Sequence, residues 1–473
     1  MEEPRRDQRC KYKCDSTGWK CPRQALPDSG EGFCICHEQR DDKDEALFRK
    51  EIKAIVDKAG EETCSFEGFY FPVAMDFEKV SFQHNVYFNE ATFNKNVSFN
   101  EAKFHGEYIS FFRVRFAGKN TSFMLAQFSG NRTSFVEARF ASEYTTFLNA
   151  QFSGVYTSFW SAQFTGEETG FRMAQFTGEK VTFSMAQFSG NKIDFSYAHF
   201  QYTLDLYATR FECDENLLSE LILGKSANLL LSGTIFRERN INDLSKLDLS
   251  KCVLRESHLD YCDLSMIQLN WNIRLLNETL NTEDYRDLGG YMWVSEERKA
   301  IRYNQAAASY RILKINFDRQ KDHNNAAICH YREWECKRKT LNWQNPKEFL
   351  PWLFHLLLNI SCGYGEKLQN VFATIATLLI VYPFLFIIPG FQLCPGGEGL
   401  SPVEGMSRWW GESAITHWWW GFKHTLFNFF PLWRLDDIKA CTDPARLATG
   451  FIALVGAFMI GMFIYVFRRR LMR

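Results

Sequence analysis

The chain has 473 residues, enough for two to four domains and too many for one small core. Its 55 basic and 56 acidic residues leave a formal net charge of -1, which excludes a global electrostatic pull towards nucleic acid. Phenylalanine is the outlier, with 45 copies, and such reliance on one aromatic type points to an internal repeat.

The chain opens on MEEPRRDQRCKYKC, which has no apolar core and so does not read as a signal peptide. This end is expected to stay in the cytosol, where crowded cysteines are more often metal ligands than disulfides. Cys10, Cys21, Cys34 and His37 form the candidate set for one tetrahedral structural zinc site, with Cys14 and Cys36 as substitutes. The three-residue offset from Cys34 to His37 lets both reach one ion from a single turn. No arrangement for an open, catalytic metal position is apparent.

From Phe99 to Phe195 a phenylalanine recurs every twelve residues, and a second follows each of them by five, from Phe104 to Phe200. An alanine stands three residues after each first phenylalanine, with Val114 the exception. Nothing fits the helical period of 3.6. An alanine two places before a phenylalanine keeps both side chains on one side of an extended segment. Later the spacing tightens, with Leu244, Leu249, Leu254, Leu259, Leu264 and Leu269 five residues apart. The segment LSKLDLSKCVLRESHLDYCDLSMIQL resembles the pentapeptide-repeat family. The resemblance implies a mainly β fold, a right-handed quadrilateral parallel β-helix with the central Leu or Phe stacked inside. The phenylalanine section resembles the same family with two extra residues at alternate corners, so a coil takes twenty-four residues and coils stack about 4.8 Å apart. The match runs from Phe66 to Leu269, broken by a less regular stretch near Glu212 to Asn228. The cysteine-rich end resembles the small zinc-binding modules that precede such repeats.

Between Phe99 and Phe211 basic and acidic residues nearly balance, so a DNA-mimicking acidic face is not expected. The solenoid reads as a rigid scaffold or an assembly surface for a cytoplasmic protein partner. His84, His105 and His199 are expected at exposed corners.

Ser309 to Thr340 carries apolar positions at helical spacing on either side of Lys-Asp-His-Asn-Asn. Two short helices joined by that turn are predicted, resembling a single tetratricopeptide-type hairpin. FLPWLFHLLLNI, with Trp352, His355 and Leu356 among apolar neighbours, reads as an amphipathic helix in a membrane interface. CGYGE, at Cys362 to Glu366, is the turn leading out of it.

VFATIATLLIVYPFLFIIPG and LATGFIALVGAFMIGMFIYVF carry no charge, and each is long enough to cross a bilayer core. The second ends on Arg468, Arg469, Arg470 and Arg473, and Lys347 and Lys367 precede the first. Basic flanks stay cytoplasmic, so both termini and the solenoid are expected on the cytoplasmic side of a cell membrane. Cys394 and Cys441 would then lie outside, where they could pair. Trp418, Trp419 and Trp420 open an apolar run that ends at Pro431, too mixed for a third crossing and suited to a re-entrant helix.

This layout resembles the two-transmembrane ion-channel family, with HWWWGFKHTLFNFFPLWRLDD as pore helix and filter position. The resemblance implies a homo-oligomeric pore. At the filter position FPLWRLDD lacks glycine, so potassium selectivity is not expected. The pore candidates are Pro431, Trp433, Asp436 and Asp437. The two aspartates are read either as a cation-favouring carboxylate ring or as solvated loop charges beside Arg434 and Lys439. Gly450, Gly456 and Gly461 would permit close helix approach in the second crossing. The alternative reading is a non-conducting, membrane-anchored scaffold. No hydrolase, metalloprotease, phosphate-loop or dinucleotide motif is present, so an enzyme is not expected. The four segments expected are a zinc module (1–62), a β-helix (63–270), a helical connector (271–345) and a membrane domain (346–473).

Overall fold

The computed structural model describes residues 9–218, 220–236, 295–388, 390–395, 413–430 and 438–471, and within 242–278 the residues 242–244, 246, 248–254, 259, 262–264, 267, 269–275 and 278. The chain divides into two compact units. The first holds residues 1–298 and 308–325, and the second holds 299–307 and 326–473.

The first unit is a parallel β-solenoid with four sheets, of nine, eight, seven and seven strands. Each coil contributes one short strand to each sheet in turn. In the central coils Gln127 pairs with Gln151 and Phe128 with Phe152, a step of twenty-four residues. The step is twenty-two where Cys64 pairs with Val86, and twenty where Asn242 pairs with Cys262. The stretch near Glu212 does not interrupt the solenoid: Glu215–Leu217 and Ile222–Leu223 pair with the preceding coil. Its departure from the repeat is absorbed in the connections between strands, where the step becomes twenty-three from Phe200 to Leu223 and twenty-five from Phe211 to Phe236 while the ladder continues.

The phenylalanines form columns inside the coil. Phe104, Phe128, Phe152 and Phe176 stack with ring centroids 4.6–4.7 Å apart. That distance is the strand spacing, so the backbone ladder sets the ring stack. Rings in neighbouring columns meet edge to face, as Phe135 and Phe147 do at 5.8 Å and 85°. The alanines at Ala126, Ala138 and Ala150 are fully buried and leave the width these rings need.

Two corner types close each coil. At the first, the N–H of Ala126 donates to the carbonyl of Phe123 across a four-residue turn. The third residue of this turn has positive φ, and here it is seldom glycine: Leu125, Glu137, Asn149, Ser161 and Met173 all sit between 53° and 58°. Their N–H groups bond the coil above, as Asn149 does to the carbonyl of Arg172 at 3.1 Å, and this ladder holds a conformation costing about 1–2 kcal/mol per residue. We expect Asn149→Val to lose about 1–2 kcal/mol because a β-branched side chain tolerates positive φ worst, and Asn149→Gly to stay within a few tenths. Thermal unfolding of the two variants side by side checks this; equal losses would contradict it. At the second corner the backbone passes directly over the coil below. A Cβ on Gly154 would stand 1.8 Å from the carbonyl oxygen of Gly130, and one on Gly178 equally close to Gly154. Ser142 fills one such corner, buried, with its hydroxyl 2.8 Å from Thr121 Oγ1.

Both ends of the solenoid are covered. At the start, the N–H of Tyr70 donates to the carbonyl of Cys36, and Gln83 to that of Ala59. Helix α1 (Glu45–Val56) starts at Asp44, whose carboxylate accepts from the N–H of Leu47. Its Phe48 ring meets Phe71 edge to face. At the far end, helix α2 (Ser295–Arg319) and the turn after it cross the last coils. The side-chain amides of Asn316, Gln320 and Asn325 donate to the carbonyls of Leu259, Cys262 and Ile267. Gln320 and Asn325 also accept from the N–H groups of Leu264 and Leu269. At these described positions the last coil therefore spends its hydrogen bonds on side chains of its own chain, where an open edge would be free to pair.

Helix α3 (His323–Thr340) follows this turn. Helix α2 is longer than the short helix read from the sequence: it begins at Ser295, and its buried residues include Ala306 and Ala307, ahead of the apolar positions that begin at Tyr310. Helix α4 (Pro346–Cys362) follows and exposes Leu350, Phe354, Leu357 and Ile360 along one side. It ends at Gly363 in the left-handed conformation, and CGYGE forms the turn into α5 (Leu368–Val381). After a 3-10 segment come α6 (Ala414–Phe429) and α7 (Asp443–Leu471).

Candidate metal centre and membrane segments

The metal centre starts from a segment with almost no regular structure. Two isolated bridges, Arg9 with Gln24 and Lys13 with Lys20, fold residues 9–24 back on themselves. A tight turn then brings His37 back to Cys34, its N–H donating to that carbonyl at 3.0 Å. Cys10, Cys21, Cys34 and His37 converge, all buried, with their ligand atoms within 4.8 Å of one another. Cys34 Sγ lies 3.1 Å from His37 Nδ1 and 3.8 Å from Cys21 Sγ, and Cys10 Sγ lies 3.5 Å from the same ring nitrogen. These four residues could hold a metal ion, and they are the set expected from the sequence.

The surroundings suit that role. His37 Nε2 donates to the carbonyl of Glu67 at 2.8 Å. A carbonyl only accepts, so the proton sits on Nε2 and the Nδ1 lone pair points at the thiols. The imidazole is stacked on Tyr12 at 4.0 Å and met edge-on by Phe69. The backbone N–H of Cys34 donates to Cys10 Sγ at 3.2 Å, which favours the thiolate. Of the two substitutes, Cys14 faces the Ser16 hydroxyl at 3.1 Å, and Cys36 gives its carbonyl to Tyr70; neither joins the group of four.

The centre is tied to the first coil. Glu67 is buried and accepts from Thr17, Ser65 and Asn89. Lys43 Nζ donates to the carbonyl of Tyr70 at 2.7 Å and lies 5.0 Å from the Phe48 ring centroid. Burial pushes the Lys43 ammonium down to about 8. The unfolded chain then binds more protons between about pH 8 and 10.5, so stability rises with pH across that window, by roughly 1–3 kcal/mol. We expect the rise to be missing in Lys43→Met, measured as unfolding temperature against pH; the same slope in both proteins would assign it to other groups.

The second unit holds two helical stretches long and apolar enough to cross a membrane, Leu368–Ile387 and Asp443–Arg468. Only 17% and 22% of their most apolar windows are buried, which argues against core helices of a soluble domain. Phe372, Ile380, Leu447, Leu454 and Phe458 are exposed, while Val371, Ile452, Met459 and Val466 form the core between the helices.

Helix α6 is seated against both stretches. A Cβ on Gly456 would stand 2.3 Å from the carbonyl oxygen of Phe429, and one on Gly421 2.9 Å from that of Pro383. Gly456 thus permits close approach as expected, whereas Gly450 and Gly461 meet nothing within 4 Å in their own chain. Buried His424 sits at the junction, with Nε2 2.8 Å from Thr449 Oγ1 and Nδ1 3.2 Å from the carbonyl of Ile438. Trp418 Nε1 donates to the carbonyl of Ile380, so one indole of the triplet anchors α6 to the first stretch. Leu393–Pro395 pairs antiparallel with Ile438–Ala440, placing Cys394 opposite Lys439, and Cys441 is disulfide-bonded. Pro431, Trp433, Asp436 and Asp437 lie outside the described residues.

Comparison with protein-family models, curated proteins and solved structures found no match to this chain. What the chain does is therefore read from its own residues. His84 and His105 are exposed at corners as expected, His105 sharing a hydrogen bond with Ser129, whereas His199 lies half-buried on a strand. Sequence reasoning missed α1 and Lys43. The signal for α1 was Asp44 as a cap followed by Phe48 and Ile52, spaced to share one helix face. It missed His424 as well, a histidine inside an apolar run and for that reason a marker of a polar contact.

Proposed function

We propose that this chain is an oligomeric, channel-like membrane protein carrying a cytoplasmic solenoid arm, with zinc as the metal of its N-terminal cap. The supporting observation is α6, a helix of 16 residues seated between two apolar stretches of crossing length. Such a half-crossing element is stable only beside protein or a water-filled cavity, which a pore would supply. Around an axis relating several copies, Asp436 and Asp437 would gather carboxylates that favour cations. Three thiolates and an imidazole suit zinc. Cys441 pairs with Cys394 in this reading, on the outer side, where a disulfide persists.

Purified protein in planar bilayers tests the reading. The wild type should pass current, and the cation preference should fall in the Asp436→Asn/Asp437→Asn variant. Silence of an intact oligomer across voltages and ionic conditions would support the alternative, a membrane-anchored scaffold, which the glycine-free filter position favours.

A further inference from the structure

The outer faces of the solenoid treat charge in two ways. At four places on the coils opposite charges are placed on successive turns. Arg113 pairs with Glu137 at 2.7 Å, Lys119 with Glu143 at 3.6 Å, Lys180 with Asp205 at 3.5 Å and Lys192 with Glu215 at 3.1 Å. The second sheet does the reverse. Its outward column reads Arg115, Arg139, Gln163, Gln187 and Arg210 on five consecutive strands. Arg115 and Arg139 are register partners, both exposed, and among the described residues neither has an ion pair. Like charges directly opposite on adjacent strands destabilise a sheet. A carboxylate on the neighbouring coil was available to the fold, as the four pairs above illustrate, and is not used here.

We propose that this column is a docking face for an acidic polypeptide segment. The five strands span roughly 19 Å at about 4.8 Å per step, the length of about six extended residues. Every side chain on it donates hydrogen bonds, and the guanidinium forks suit carboxylates in a bidentate geometry. Three arginines are too few for a nucleic-acid backbone, where specific proteins engage about 6–10 phosphates, or for an anionic bilayer, which calls for about 4–8 basic residues. Charge complementarity therefore favours a short acidic stretch of a protein.

A fluorescent octaglutamate peptide tests this on the full-length protein in detergent. Binding should weaken with salt and fall at least tenfold in Arg115→Gln/Arg139→Gln. Arg139→Glu, which gives Arg115 a partner, should abolish binding and raise the unfolding temperature, so a lost interaction cannot be mistaken for a lost fold. No binding of the peptide, equal binding by the glutamine variant, or equal arginine-dependent binding of duplex DNA or phosphatidylserine vesicles would overturn the proposal.

Discussion

Stripping the metal should unfold the N-terminal cap and leave the central coils intact. Residues 9–40 have almost no apolar core of their own, and their buried groups are mainly the cysteines, Ile35 and His37. A segment this small needs a metal or cross-links to hold one structure. Binding of a structural zinc ion contributes about 10–16 kcal/mol in comparable small modules, so its loss dominates every other term there. Cap and first coil then lose contact together: the carbonyl of Glu67 loses His37, and Tyr70 loses Cys36. Metal analysis should find about one zinc per chain. Hydrogen exchange after chelation should show loss of protection in the cap and the first coil, decaying into the solenoid because coils couple mainly to their neighbours. Cys34→Ser should reproduce this without chelator, and Cys14→Ser should not. Full protection of the cap in metal-free protein would contradict the assignment.

Replacing Phe147 by alanine should cost about 3–5 kcal/mol, among the largest effects of any single side chain in the solenoid. The ring is fully buried, stacked between Phe123 at 4.8 Å and Phe171 at 4.7 Å, with Phe135 and Phe159 edge-on. Collapse cannot fill the space, because the ladder fixes the coil spacing that the neighbouring rings obey. Phe147→Leu should recover part of the loss. Met173→Ala, at an exposed corner, should change stability by less than about 0.5 kcal/mol. Denaturant unfolding followed by far-ultraviolet dichroism measures all three. A Phe147→Ala loss no larger than that of Met173→Ala would mean the phenylalanine columns do not carry the stability of the coil.

Much of this architecture was legible because it is periodic. The twelve-residue return of phenylalanine states the coil length, and the paired alanine states which side of the strand faces inward. The metal set was legible by residue type and by the three-residue offset of Cys34 and His37; Cys14 and Cys36 stood as substitutes, and the fold leaves both outside the group of four. The end caps were not legible. Asn316, Gln320 and Asn325 bond coils about 56–58 positions away, and a polar residue on a helix gives no hint of so distant an acceptor. Gly456 differs from Gly450 and Gly461 only through Phe429, which lies in another helix. Positive φ at Leu125 or Met173 was equally hidden, because tertiary stacking, not local preference, holds those turns.

The proposed conduction, the proposed outer-side location of the disulfide and the proposed cytoplasmic arm all rest on two crossings of one membrane. Impermeant thiol labelling on sealed vesicles measures that directly, using a single cysteine in place of exposed Lys119 on the solenoid or of Lys439 in the loop between the stretches. Two crossings predict that the loop cysteine reacts from outside, while the solenoid cysteine reacts only after permeabilisation. Labelling of both positions from the same side of an intact vesicle would contradict them.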